Sequence, residues 1–361
     1  MHKLFNDIWK IYPEGLANRT WHWWWWLHFF ENHDNPGFPK QLMILWGTRN
    51  CRKVRVNNFC WEPRIPMEIK SNNAAFESIV ASWYYDGRRM HDNFILDHGK
   101  TETEWDDHSG GIRMESADGA YSFNGKPADF QLKADNQKVR IELSMQRWKD
   151  MMAELVPSGR NFARNIGYSM LKYRGLLSSG RIRVGQDETS VNGRAYFQKV
   201  WISSLTPCWY WATVQWDNGA YLQYFLPHIG MPMLRHSTSH ESLIDWGEKM
   251  VTKALNFFDA DEGKEHFMTN VRISKRYEND LPIFDVNAFS DEGELSIELA
   301  TYARACWNIS QPVLGPIWHG IFYNEYPAWV TRFKFKSGAR TVDNDDLGKS
   351  YCNCEHTWGT V

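Results

Sequence analysis

The stretch "TWHWWWWLHFF" at residues 20–30 puts five tryptophans and two histidines into eleven positions. Read as a β-strand, it sends Trp21, Trp23, Trp25, Leu27 and Phe29 to one face and His22, Trp24, Trp26, His28 and Phe30 to the other. Both faces are aromatic, but only one carries imidazoles. A helix would instead spread the indoles around its whole circumference, which suits neither the loop "ENHDNPGFP" that follows nor the apolar return "QLMILWG" at 41–47. A two-faced strand opening a hairpin is the more economical reading, with the histidine face as the better pocket wall. Glu31, at the end of the strand, reads as a solvated carboxylate.

The same pattern continues downstream. Asp86-Gly87, Asp118-Gly119, Asn124-Gly125, Asn192-Gly193 and Asn218-Gly219 are pairs that tolerate the positive φ of tight hairpin turns. Between them, "KVRIELSM", "RAYFQKVWI", "ELSIELATYA" and "VTRFKFK" alternate or bury both faces as strands do. The fold class is therefore mainly β. Two segments have helical spacing: residues 238–258, through Leu243, Trp246, Met250, Ala254 and Phe257, and residues 145–156, which stop before Pro157. The longer one suggests a division near residue 245, into an N-terminal β domain of residues 1–245 and a C-terminal one of residues 246–361.

With 361 residues, 43% of them hydrophobic and 23% charged, the composition is that of a folded, water-compatible chain with a large core. A net charge of −2 supplies no field for nucleic acid, and no dense Lys/Arg run lies beside stackable rings. No run is long and apolar enough for a transmembrane helix, and the first twenty residues lack a signal-peptide core, so a cytoplasmic location is expected, with peripheral membrane contact left open. Six cysteines suit a reducing compartment. Cys352 and Cys354 in "YCNCEH", beside Glu355 and His356, lack the C-x(2–4)-C spacing of structural zinc and read as free thiols on a final strand. Neither a dinucleotide-binding GxGxxG, a P-loop, HExxH nor a GxSxG elbow is present: "HESLID" lacks the second histidine that a zincin needs. No cofactor and no metal are expected.

Candidate chemistry is carried by imidazoles and carboxyls set among rings. His22 and His28 share the opening strand with Trp24 and Trp26, and "ASWYYDGRRMHDNFILDHG" at 81–99 contributes His91 and Asp97. "TPCWYWATVQWDNGAYLQYFLPHIG" at 206–230 adds Trp209, Trp211, Tyr221 and Phe225 as a wall, and His228 at the strand exit. His319 and Glu325 are polar among bulky apolar neighbours, and Glu355-His356 precedes "TWG". Burial favours the neutral form of a carboxyl, which suits a general acid. The plain alternative is that these groups satisfy backbone hydrogen bonds and the indoles fill cores.

Three of these motifs together resemble the two-domain lipocalin-like proteins grouped with carotenoid 1,2-hydratases, AttH proteins and certain fungal pericyclases. "HWWWWLHFF" is similar to that family's aromatic first strand, although His22 stands where the family has an acid. "GRAYFQKV", through Gly193, Tyr196, Phe197 and Gln198, resembles its middle motif, and Glu355, His356, Thr357, Trp358 and Gly359 resemble its closing strand. The resemblance implies two tandem lipocalin-like antiparallel β barrels with a few short helices and a pocket in or between them. It also implies water addition to an isoprenoid alkene or cyclisation of a polyene. The functional expectation is a hydratase or cyclase acting on an apolar small molecule. His28, His91, Asp97, His228, Glu355 and His356 are its candidate catalytic groups. His22, Trp24, Trp26, Trp209, Trp211, Tyr221, Phe225 and His319 are candidate substrate contacts. The alternative is a non-catalytic carrier for a lipid, quinone or pigment; whether the protein forms oligomers is left open.

Overall fold

The computed structural model describes residues 11, 20–64, 66–106, 108–126, 129–148, 154–156, 167–203, 207–239, 247–314 and 317–359, with the backbone alone at 154–156, 169, 313–314 and 317. The opening stretch is the strand β1 (Thr20–Phe30), and it pairs antiparallel with β2 (Lys40–Arg49), as its alternation and the return run predict. From there the chain meanders through β3 (Asn73–Tyr85), β4 (Met90–Asp106), β5 (Gly111–Ser116), β6 (Tyr121–Lys126), β7 (Asp129–Asp135), β8 (Val139–Arg147), β9 (Gly167–Val184) and β10 (Asp187–Ser203). Each strand pairs with the next, and β10 pairs back onto β1 from Thr20↔Ser203 to Phe30↔Gly193. An up-and-down closed barrel results, in which each of these ten strands has a neighbour on both sides.

The second half forms another antiparallel sheet from β11 (Cys208–Trp216), β12 (Tyr221–Ile229), β13 (Ala254–Asp259), β14 (Lys264–Met268), β15 (Asn270–Glu278), β16 (Leu281–Ser290), β17 (Gly293–Thr301), β18 (Ala305–Leu314), β19 (Ile317–Ser337) and β20 (Ser350–Gly359). Its order is β14-β13-β12-β11-β20-β19-β17-β16-β15, with β18 also on β19. Among the described residues β14 and β15 share no ladder, so this sheet is open where a second closed barrel was expected. The sheets change over between Ser203 and Cys208, and the short strands Val54–Val56 and Phe59–Trp61 cross from the β2–β3 connection to the second sheet, where Val56 pairs with Ile309.

Neither helix expected from spacing forms among the described residues, which are strand at 145–147, 154–156, 249–250 and 254–258 and loop or turn elsewhere; residues 149–153 and 240–246 lie outside the described residues. Met145–Arg147 completes β8, and Glu154–Val156 pairs with β9. Ala254–Asp259 has the buried positions Leu255, Phe257 and Asp259 in period two, because β12 and β14 offer ladders on both sides. Tertiary pairing overrides the weak helical spacing. The described helices are the 3-10 turn Met231–Leu234 and one α-turn, Asn344–Leu347, closed by the capping box of Asp343 and Asp346. None of the described helices is long and apolar enough to cross a membrane.

Two Asn-Gly pairs do not turn the chain. Asn124-Gly125 lies within β6, and Asn192-Gly193 within β10. A Cβ on Gly193 would stand 1.8 Å from the Phe29 carbonyl oxygen, so glycine is needed there for close strand approach.

Packing explains why both faces of β1 are aromatic. Trp24, Trp26 and Phe30 lie inside the closed barrel, with Phe76, Phe123, Phe130 and Phe197. Trp26 meets Phe123 edge-on at 4.7 Å and stacks on Phe197 at 5.3 Å. Trp25, Leu27 and Phe29 point outward, yet are buried, because the second sheet covers them with Trp211, Trp307 and Tyr323. A polar clasp fixes this contact: the Gln41 amide N–H groups donate to Tyr302 Oη (2.9 Å) and the Cys352 carbonyl (2.8 Å), while Asn353 donates to Gln41 Oε1 (3.2 Å). All six cysteines are free; Cys352 and Cys354 are buried core thiols with Sγ atoms 3.9 Å apart, and Glu355 faces away from them.

Candidate functional site

The registers of β11, β20 and β19 set Trp211, Glu355 and Glu325 side by side, with Trp209, Thr357 and Tyr323 next along the same face. Trp307, opposite Tyr323 on β18, extends the wall. The covering barrel adds Trp25 from β1, Trp83 from β3 and Tyr196 from β10. Trp25 stands edge-on to Trp211 at 5.4 Å and to Tyr196 at 5.7 Å, and Tyr323 lies 5.9 Å from Trp209 and 6.2 Å from Trp307. Two carboxyls are therefore enclosed by aromatic rings at the junction of the two sheets.

Glu325 and Glu355 are 1% and 6% exposed, and no Lys or Arg is hydrogen-bonded to either among the described residues. Tyr323 Oη bridges them: it is in hydrogen-bond contact with Glu325 Oε1 and lies 2.9 Å from Glu355 Oε1. One phenolic proton can serve only one of the two carboxyls, so the second contact requires a proton on a carboxyl. Burial pushes Glu325 well above the usual carboxylate range, and the neighbouring Glu355 charge pushes it further. Burial also raises Glu355, to about 7, against the opposing hydrogen bonds from Trp209 and Tyr323. The coherent arrangement is a neutral Glu325 donating to Tyr323, which donates to an ionised Glu355 that also accepts the Trp209 indole N–H at 2.6 Å. Glu325 Oε2 closes no hydrogen bond; the N–H groups of Trp25 and Trp83 favour its charged form but reach no full hydrogen-bond geometry. The pair can hold a proton in a water-poor aromatic box and present one unpartnered acid oxygen.

The residues singled out from sequence fall into several places. Trp209, Trp211, Phe225 and Glu355 belong to the junction. His356, next to Glu355 on β20, faces the other side of the sheet, where its ring stacks on Tyr210 at 4.2 Å, with His228 on Tyr210 at 4.9 Å. His228 is fully buried, neither ring nitrogen has a hydrogen-bond partner, and burial, with a lesser push from Lys275, lowers it to about 3. His28 is inside the closed barrel, bonded through Nδ1 to Ser178 Oγ at 2.9 Å and lowered by burial to about 3. His22, Trp24 and Trp26 share that interior. His91 pairs with Asp86 at 2.8 Å beside the β3–β4 turn, and Asp97 accepts the Tyr121 hydroxyl at 2.8 Å. Tyr221 lies under Arg174 and donates to Glu265, and His319 is half-buried near His236. These groups do not converge on one centre. Glu31 is exposed.

Tyr323, Trp25, Trp83 and Trp307 are junction residues that sequence reasoning missed, and Glu325, a polar group among apolar neighbours whose burial suits a general acid, is not among its candidate catalytic residues. The available signal was the i,i+2 spacing of Tyr323 and Glu325 in "FYNEYPAW". Lys199 was also missed: it lies inside the closed barrel, 3.2 Å from His22 Nδ1 and 4.6 Å from the Trp24 ring centre, and burial lowers it to about 7.

No family model matches the sequence, and no curated protein matches it. Among solved structures, an AttH protein of Nitrosomonas europaea superposes with a TM-score of 0.52 at 11% identity, over 96% of this chain and 95% of that one. The likeness is one of fold. It relates the chain to the AttH-type, lipocalin-like β architecture along nearly its whole length. Kievitone hydratase of Nectria haematococca superposes over 97% of this chain and 94% of its own, with a TM-score of 0.46 at 9% identity. The fold relationship rests on the first of these.

Proposed function

We propose that the chain is a hydratase or cyclase that acts on an apolar isoprenoid or polyene by acid–base chemistry at Glu325 and Glu355. The observation that carries this reading is the tyrosine-bridged carboxyl pair, with its unpartnered Glu325 oxygen, enclosed by Trp25, Trp83, Trp209, Trp211 and Trp307. In this mechanism neutral Glu325 turns its acid proton away from Tyr323 to the side of its unpartnered oxygen, protonates an alkene carbon there and leaves the adjacent carbon cationic. The indole faces stabilise that cation and keep bulk water from quenching it. Ionised Glu355 then takes a proton, either from the water that adds to the cation or, after an internal alkene has closed a ring, from a carbon next to the cyclised cation, where the new alkene forms. Tyr323 returns the proton between the carboxyls for the next turnover.

The test is turnover of acyclic isoprenoid alkenes by the purified protein in D2O. Each product molecule should carry one new carbon-bound deuterium, and E325Q and E355Q should each reduce the rate at least a hundredfold. Stoichiometric binding of the alkene without deuterium incorporation would overturn catalysis in favour of a carrier. Full turnover by both variants would place the chemistry elsewhere.

A further inference from the structure

The β13–β14 hairpin "DADEGKEH", residues 259–266, shares no residue with the carboxyl pair and holds a second convergence of charged groups. Asp259, Glu262 and His266 each bring one carboxylate oxygen or ring nitrogen within 4.8 Å of the others. Acidic side chains often gather on a surface turn, but here Asp259 is 1% and His266 0% exposed. His266 sits between Phe257 and Phe335; its Nδ1 is 3.2 Å from Glu292 Oε2, while its buried Nε2 has no hydrogen-bond partner. A carboxylate on Nδ1 selects the tautomer whose Nε2 lone pair is free, as in many carboxylate–histidine–metal arrangements.

We propose that Asp259, Glu262 and His266 form a binding site for a divalent first-row transition metal, with Zn2+ as the reference ion. One imidazole and two carboxylates form a borderline donor set that suits such ions better than Ca2+ or Mg2+. Ligand atoms about 2.0–2.1 Å from zinc lie roughly 3.3 Å apart, so closure requires movements of about 1.5 Å. Exposed Glu262 can supply much of that by rotation. The competitor is Arg340, whose Nε and Nη2 donate to Asp259 at 2.5 and 2.8 Å and whose Nε lies 3.4 Å from Glu262. Its side chain is 29% exposed on the arm Arg340–Asp343, so it can swing outward when the ion enters.

The test is Zn2+ titration of the EDTA-treated, dialysed full chain by calorimetry, with metal analysis for stoichiometry. One ion should bind per chain, and R340Q should bind at least tenfold more tightly, because a competing cation has been removed. H266A should weaken binding at least tenfold. E262Q, at an exposed position whose substitution leaves the core intact, should weaken it severalfold. Absence of stoichiometric binding in both the wild type and R340Q would overturn the proposal, as would binding undiminished in both H266A and E262Q.

Discussion

Replacing Glu355 by glutamine tests the protonation state of the junction without removing its volume. Folded Glu355 titrates at about 7, against 4.5 for the ordinary carboxyl, and at about 1.36 kcal/mol per pH unit that difference amounts to about 3 kcal/mol. The folded value is raised, so the native state binds the proton more tightly than the unfolded chain does. Its stabilisation is therefore fully present below pH 4.5 and is lost as pH rises through 7. The glutamine variant keeps an acceptor for Trp209 or Tyr323 and has no proton to lose. Urea unfolding of both proteins at pH 5, 6, 7 and 8 reads the effect of the carboxyl pair, since the titrating groups outside Glu325 and Glu355 are common to them. The stability of the wild type relative to E355Q should fall by about 2 kcal/mol between pH 5 and 7, and little further beyond pH 8. A relative stability constant to within about 0.5 kcal/mol over that interval would refute the raised carboxyl, and the proton-holding pair with it.

His228 should show the opposite pH dependence: its folded value of about 3 lies below the ordinary 6.5, so stability is present above pH 6.5 and is lost as pH falls towards 3. H228F should therefore gain about 2 kcal/mol over the wild type on going from pH 8 to pH 5, read by urea midpoints; an unchanged difference would contradict a buried neutral imidazole. Trp26→Ala removes a ring packed on Phe123 and Phe197, and should cost about 3–5 kcal/mol in chemical denaturation. Gly193→Ala should abolish soluble folded protein, because its Cβ would meet the Phe29 carbonyl at 1.8 Å. By contrast, Gly119→Ala, at a φ of +74° with open space around it, should cost only about 1 kcal/mol; circular dichroism and thermal melts check both.

The parts of the fold legible in the sequence are those set by local alternation. Period two in "HWWWWLHFF" assigned each residue of β1 to its face, and the strands "KVRIELSM" and "VTRFKFK" lie where alternation puts them. What alternation cannot say is what lies beyond each face. The histidine face was the natural pocket candidate, yet it is packed inside a closed barrel, whereas the Trp25 face meets the buried carboxyls. Glu325 and Glu355 are thirty residues apart and become neighbours only through the ladder of β19 and β20, a long-range pairing with no local signature. The helix expected over residues 238–258 gives way to the strand Ala254–Asp259 for the same reason, since ladders on both sides outweigh local spacing.

The two faces of β1 do different work, and one register joins them. Inside the barrel, Trp24 and Trp26 fill space that a wider interior would leave for a ligand, so a polar pair is better accommodated where two sheets meet. There the barrel contributes Trp25 and Trp83, while the second sheet contributes Tyr323 and both carboxyls, so neither sheet alone encloses them. Burial raises the carboxyls only as far as that cover excludes water, which makes the acidity of Glu355 a property of the junction. A one-residue slip of β1 would exchange its faces, turning Trp24 and Trp26 towards the second sheet and Trp25 into the barrel. The pairing of Phe30 with Gly193, where no side chain fits, holds that register at the end of the strand, so the glycine that closes the barrel also keeps Trp25 over Glu325.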